Sequence, residues 1–340
     1  MGDTSYFKAS QVVEAFEAAK TANRPLTDVM YFDWQKTRPA ANGTKYVPAF
    51  FVVGGVSKSC TFRFKNEKHV GQIAPADDEE VARLNTELGA GRAQIKKRDR
   101  DPCLQFQKWS SSVPTEEDGI TIRKREDGTD DLPGDESRSS VFELISYMEE
   151  VFCVEAEKCI KNGKIVQRTP RKDPPKDPSV IVTDNLKIVS MVQRTISPHA
   201  IKNAGKPLPN PIVRAKIKFD DTSGRAHGSY HRRGTPLPLV DEEGKPPDKF
   251  NVHKLFVTHA IVDGVICVDA LCISKMGLSM PIQVKVAVVS SPKKYQLGLK
   301  DVYSDEEADE EGGAAGGQAA IDESHFNDLL NKLTVGDAAV

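Results

Sequence analysis

Residues 92–109, RAQIKKRDRDPCLQFQKW, join a dense basic run to an alternating apolar one. Lys96, Lys97, Arg98 and Arg100 fall within five positions, and Leu104 and Phe106 then alternate with polar neighbours ahead of Lys108 and Trp109. A period of two puts Leu104 and Phe106 on one face of a strand. Cations that track phosphates and rings that stack bases are the two components of a single-strand groove. A solvated basic loop leading into an ordinary core strand fits the same residues. Asp99 and Asp101 stand inside the run, where they can pair with the arginines. The rest of the chain decides between these readings.

Working outward, 46–53 and 59–64 are β-rich and flank Gly54-Gly55, a hairpin signal with a somewhat longer loop. Phe62 and Phe64 share one face of the second run, Arg63 and Lys65 the other, and Lys68 and His69 continue the positive trend. Residues 202–219, KNAGKPLPNPIVRAKIKF, begin with Lys202 and Lys206 in a stiff loop bearing Gly205, Pro207, Pro209 and Pro211. The strand after it alternates Arg214, Lys216 and Lys218 with Ala215, Ile217 and Phe219, so three cations share one side. An ordinary wet face mixes charge signs. The proline-rich run at 168–178 is either an extended surface loop or a further phosphate contact, and 220–249 is loop-like with a basic tip at His231-Arg232-Arg233.

Helical patterns frame these strands. Ser10 is placed to cap a helix reaching Asn23, with Val12, Val13, Phe16 and Ala19 on one face. A second helix spans 74–88, with Pro75 at its start, acidic residues in its first turn and Gly89 at its end. The longest follows 141–160, where Val141, Leu144, Ile145, Met148, Val151 and Phe152 form a core stripe. Short strands are expected at 28–34 and 120–124, and 181–196 is one long strand or a strand and a helix. Residues 252–260 fit helix or strand, while 265–274 and 282–289 read as buried strands around a turn bearing Gly277.

The net charge of −2 conceals an asymmetry. Residues 301–340 hold eleven acidic residues and one lysine, leaving 46 basic and 38 acidic residues in 1–300. A basic body with an acidic tail points toward nucleic acid. The division is therefore a binding body, 1–300, and a flexible tail, 301–340. Within the tail, Ile321, Phe326, Leu329, Leu330 and Leu333 line a short amphipathic helix that orders on a partner. It competes with DNA for the basic groove, recruits replication proteins, or merely solubilises.

The six cysteines form no CxxC pair and have no histidines at zinc spacing, so they read as reduced structural thiols without metal or cofactor. No apolar run approaches the ~20 residues of a membrane helix, and the first residues lack a secretory core. There is no phosphate loop and no nucleophile elbow. Binding is the expected role rather than catalysis, in a soluble intracellular protein.

Four segments carry a family likeness: 64–71 (FKNEKHVG), 96–106 (KKRDRDPCLQF), 202–212 (KNAGKPLPNPI) and 272–281 (CISKMGLSMP). Together the chain resembles the single-stranded-DNA-binding proteins of African swine fever virus and related large DNA viruses, across most of 5–300. The loops at 165–180 and 222–250 and the Gly/Ala-rich tail depart from that pattern. The resemblance implies a central OB-like β-barrel, which with the residue pattern makes an α+β fold with flanking helices and a disordered acidic C-terminal tail. It implies non-catalytic binding of single-stranded DNA with little sequence preference, at a replication site in the cytoplasm of an infected cell; nucleus and virion are the alternatives. Matching positions give Lys96, Lys97, Arg98, Arg100, Phe106, Lys202 and Lys206 as binding residues. The residue pattern itself adds Arg63, Lys65, Lys68, Lys108, Trp109, Arg214, Lys216 and Lys218, with Phe106 or Trp109 stacking a base. Rival readings are an RNA-binding protein and a structural virion protein with a basic interaction face.

Overall fold

A computed structural model describes residues 6–40, 42–89, 94–168, 180–198, 203–233 and 237–290. Strand β1 (Phe7–Lys8) leads into α1 (Ala9–Thr21). The Lys8 N–H donates to the Gln11 side chain (3.0 Å), so the helix starts ahead of the expected Ser10 cap. Strands β2 (Met30–Phe32), β3 (Arg38–Pro39), β4 (Lys45–Val53), β5 (Val56–Ser59) and β6 (Thr61–Lys68) follow. Gly54 and Gly55 have φ of 57° and 78°, as a two-residue hairpin turn requires, and Val53 pairs with Val56. The loop is shorter than expected because the polar Val56–Ser59 already pairs with β4.

Helix α2 (Asp78–Leu88) begins later than the expected 74. Asp77 caps it by accepting from the Glu79 N–H (2.8 Å), while the Pro75 carbonyl is taken by the Arg98 N–H (2.8 Å). Then come β7 (Cys103–Gln107) and the 22-residue α3 (Ser140–Lys161), capped by Ser139. The expected strand at 120–124 is only isolated bridges, at Ile122 and Lys124. The run 181–196 is neither a single strand nor a strand and helix. Strands β8 (Ile165–Gln167) and β9 (Ile181–Thr183) pair with each other, and β10 (Val192–Thr195) is separate. An Asn185 side chain accepting from the Lys187 N–H (3.0 Å) turns the chain between them.

Strand β11 (Pro207–Lys216) absorbs the prolines expected in a loop. Pro207, Pro209 and Pro211 are two apart, so their missing N–H groups fall on one edge, where Pro211 still offers its carbonyl to the Lys108 N–H (3.0 Å). After β12 (Ser229–Arg232) and the single-turn α4 (Val252–Leu255), the chain ends its described part in β13 (Ile261–Cys267), β14 (Ala270–Ser274), β15 (Gly277–Ser279) and β16 (Gln283–Val289).

The α+β class is met, with far more strand than helix. One eight-stranded sheet runs β1-β6-β13-β16-β11-β10, with β12 added along β16 and β7 along β11. It curls into a half-barrel. Beyond the end of β6 the Val70 N–H donates to the Gln105 carbonyl (3.0 Å), bringing β7 against the opposite side of the curl. A six-stranded sheet, β15-β14-β4-β2 with β3 and β5 along β4, lies beside it. The inner face buries Phe62, Phe64, Leu104, Phe106, Val213 and Ala215 in one cluster with Leu144, Ile145, Met148 and Phe152 of α3. Gly264 gives that face room: an added Cβ would lie 2.3 Å from the Val286 carbonyl and 3.0 Å from the Phe64 ring.

Buried carboxylates pin the helix to the sheet. Glu149 accepts from the Met191 and Val192 N–H groups (2.7 and 3.1 Å) and pairs with Arg194. Glu67 accepts from the Ser140 hydroxyl (2.7 Å) at the start of α3, and burial raises its pKa. The tail 301–340, Lys202 and all but the first residue of the 168–178 run lie outside the described residues.

Candidate nucleic-acid interface

The β7–β11 ladder sets which side chains meet solvent. Gln105 pairs with Arg214, Cys103 with Lys216, and Leu104 with Ala215. Because Leu104, Phe106, Val213 and Ala215 are buried inward, Arg214 and Lys216 must point outward. Lys218 continues the row past the strand end, with Ile217 buried between. Arg214 and Lys218 have no ion pair among the described residues. Lys216 meets Asp101 at 3.4 Å, but both are more than half exposed, so this pair is weak. The Ile217 N–H donates to the Pro102 carbonyl (2.9 Å), which brings the exposed Arg100 to the same end of the sheet.

The basic run divides by role. Arg98 is half-buried, donating to the Ala74 carbonyl (3.2 Å) and the Lys249 carbonyl, and burial lowers its pKa. It ties the segment before α2 to the loop before α4 through both terminal nitrogens of its guanidinium. Lys97 pairs with Asp78 at 2.7 Å in an exposed contact. Lys96 is exposed and has no ion pair among the described residues.

The expected stacking rings are corrected. Phe106 is 0% exposed and meets Phe64 edge-on, with ring centres 5.4 Å apart. It faces the core because the α3 side of the sheet, not the solvent side, takes the even positions of β7. Trp109 is 5% exposed. Its N–H and carbonyl are both held by the Asn210 side chain (3.0 and 2.9 Å), and the Lys108 ammonium sits 4.2 Å over its ring. Burial, with nearby Arg138, lowers the Lys108 pKa. Lys68 donates to the Ser110 carbonyl (3.2 Å). These residues form a clamp at the far end of β7 rather than a strand platform.

The remaining cations are dispersed. Arg63 lies opposite Val265, with β13 and β16 between it and β11, and Lys65 is exposed further along β6. Lys206 is exposed just before β11, and its charge helps Thr121 and neighbouring N–H groups hold Asp118 down at about 2. The site is thus Arg100, Arg214, Lys216 and Lys218, with Lys96 and Lys206 exposed elsewhere.

His69 shows how firmly β7 is held. It is fully buried and accepts the Gln105 N–H on Nδ1 (3.0 Å), which leaves the neutral ring's proton on Nε2. Burial is the main reason its pKa falls to about 4.

The second sheet presents aromatic side chains not singled out from the sequence. Tyr31 and Phe50 stack outward, ring centres 5.5 Å apart and 22° from parallel. Tyr46 lies on the same outer face of β4 and pairs with the exposed Arg38 of β3. The alternation in KYVPAFFVV held this signal: Val47, Ala49 and Phe51 are buried, so Tyr46 and Phe50 face out. Among the described residues, no group of three or more His, Cys, Asp or Glu side chains is arranged to hold a metal. No described helix is long and apolar enough to cross a membrane.

No protein-family model matches the chain. It is 36% identical over 317 residues to the uncharacterized protein CP312R of African swine fever virus, isolate Warthog/Namibia, covering 89% of this chain and 94% of that protein. The CP312R protein of the Tick/Malawi isolate is 37% identical over the same length, with the same shares covered. At that identity over nine-tenths of its length, the chain belongs to the viral CP312R family.

Proposed function

We propose that this protein binds single-stranded DNA with little sequence preference, coating strands exposed during viral DNA replication, repair or recombination. The observation that carries the reading is the single-sign row Arg214, Lys216 and Lys218 on the outer face of β11, joined at its end by Arg100. Such a row neutralises successive phosphates and releases their counterions without reading bases. The circuit β6-β13-β16-β11-β7, returning toward β6 through Val70 and Gln105, supports an OB-like barrel as its scaffold. We assign no turnover to this surface. The acidic tail is taken as a competitor for the basic row or a handle for replication proteins.

The test is fluorescence anisotropy of the full chain against single-stranded DNA, duplex DNA and single-stranded RNA of equal length, at two salt concentrations. Tightest, salt-sensitive binding to single-stranded DNA is expected. Preference for RNA would move the assignment to the infected cell's transcripts. Weak binding to all three would overturn it and favour a structural virion role for the basic face. Removal of 301–340 is expected to tighten binding if the tail competes.

A further inference from the structure

With Phe106 and Trp109 buried, the basic row has no ring of the β7 strand to offer a base. The second sheet has such rings, and it adjoins the row. The stretch from β15 to β16 passes from one sheet to the other, and there the Lys216 N–H donates to the Ile282 carbonyl (2.9 Å). On β14, Cys272 pairs with Tyr46 on one side and with Ser279 of β15 on the other, three residues before Ile282.

The outward positions of β4 are Tyr46, Pro48, Phe50 and Val52, of which Tyr46 and Phe50 lie about 13 Å apart at strand rise. Their outward partners on β2, β3, β5, β14 and β15 include Arg38 and no carboxylate. Lys36 sits 5.5 Å over the Phe50 ring, and its one acidic partner, Asp33 (3.0 Å), keeps it in place. Tyr31 is 37% and Tyr46 36% exposed, unusual for aromatics already supported by a sheet. An apolar ring face bordered by Arg38 and Lys36, with no carboxylate at the paired strand positions, is complementary to stacked bases on a phosphate chain.

We infer that Tyr46, Phe50 and Tyr31 form the base-stacking platform for a single strand whose phosphates follow Arg214, Lys216 and Lys218. The inference rests on the single-strand reading and adds a second sheet and three residues to its site. Backbone on one sheet and bases on the other make a path that runs across their junction at Lys216 and Ile282.

The experiment compares thymidine oligonucleotides with abasic ones of the same length, using the full chain and its Tyr46→Ala/Phe50→Ala variant. A stacked base is worth ~5- to 150-fold in affinity. The variant is expected to lose about tenfold or more for the thymidine strand, little for the abasic strand, and to keep its salt slope. Tyr46→Phe should restore most of the loss. In parallel, photo-crosslinking of unmodified protein to 5-iododeoxyuridine strands should label peptides holding Tyr31, Tyr46 or Phe50. A folded variant that still prefers thymidine over abasic strands by the original factor would overturn the platform while leaving phosphate binding intact. Cross-links confined to the 94–101 segment and the exposed Phe250 would do the same. Failure of the unmodified protein to bind any single strand would remove both the platform and the function it rests on.

Discussion

Strands β7 and β4 have the same alternation and opposite outcomes. On β7 the aromatic position, Phe106, is fully buried and the outward positions are Cys103, Gln105 and Gln107. On β4 the buried positions are Val47, Ala49 and Phe51, and the outward ones carry Tyr46 and Phe50. Periodicity fixes which residues share a face; the layer that covers a face decides which of the two is dry. For β7 that layer is α3, which shares its cluster with Leu104 and Phe106. A cationic neighbourhood in sequence therefore does not make an aromatic residue a ligand platform.

The contrast is broken or sharpened first by truncating the rings. Phe106→Ala is expected to lower stability by ~3–5 kcal/mol, as large core aromatics do. Tyr46→Ala should cost under about 1 kcal/mol, as an exposed change does. Urea denaturation of both variants measures the difference, and equal losses would place both rings in the same environment.

Next comes pH, through the residue that pins the β7 edge. An unfolded histidine takes its proton below about 6.5, whereas buried His69 does so only near 4. Unfolded chains then bind the extra proton between these values, so stability falls as pH drops from 6.5 to 4, by ~3 kcal/mol in total. Thermal melts across this range should show the loss, and His69→Gln should flatten it. An unchanged slope in that variant would mean that other groups set the acid sensitivity.

A smaller split is expected inside the basic run. Arg98→Ala should cost ~1–2 kcal/mol, because its guanidinium holds two carbonyls of separate segments. Lys97→Ala should cost under ~0.5 kcal/mol, since its Asp78 pair is exposed. Denaturation midpoints that reverse this order would contradict the division of the run into a structural arginine and surface lysines.

Much of this fold was legible residue by residue. The apolar stripe of α3, the hairpin at Gly54-Gly55, though with a tighter loop, and the outward Arg214, Lys216 and Lys218 follow from local pattern. What local pattern could not give was pairing. The side of β7 that faces inward depends on α3, some 35 residues later, and the proline-rich 207–211 becomes strand because its partner strands need only the other donors. Arg98 looked like its neighbours because the carbonyls it satisfies, at Ala74 and Lys249, are distant in sequence. Tyr46 and Phe50 were passed over since their cations, Arg38 and Lys36, come from outside their own strand.

The most direct test of the account is the salt dependence of single-stranded DNA binding by the full chain and by its Arg214→Ala/Lys216→Ala/Lys218→Ala variant. Each phosphate contact contributes ~0.7 to the slope of log affinity against log salt for single strands. The variant should bind more weakly, with a slope shallower by about 2, while its denaturation curve stays close to that of the original. A folded variant with the original slope would show that the outer face of β11 is not where the phosphates lie.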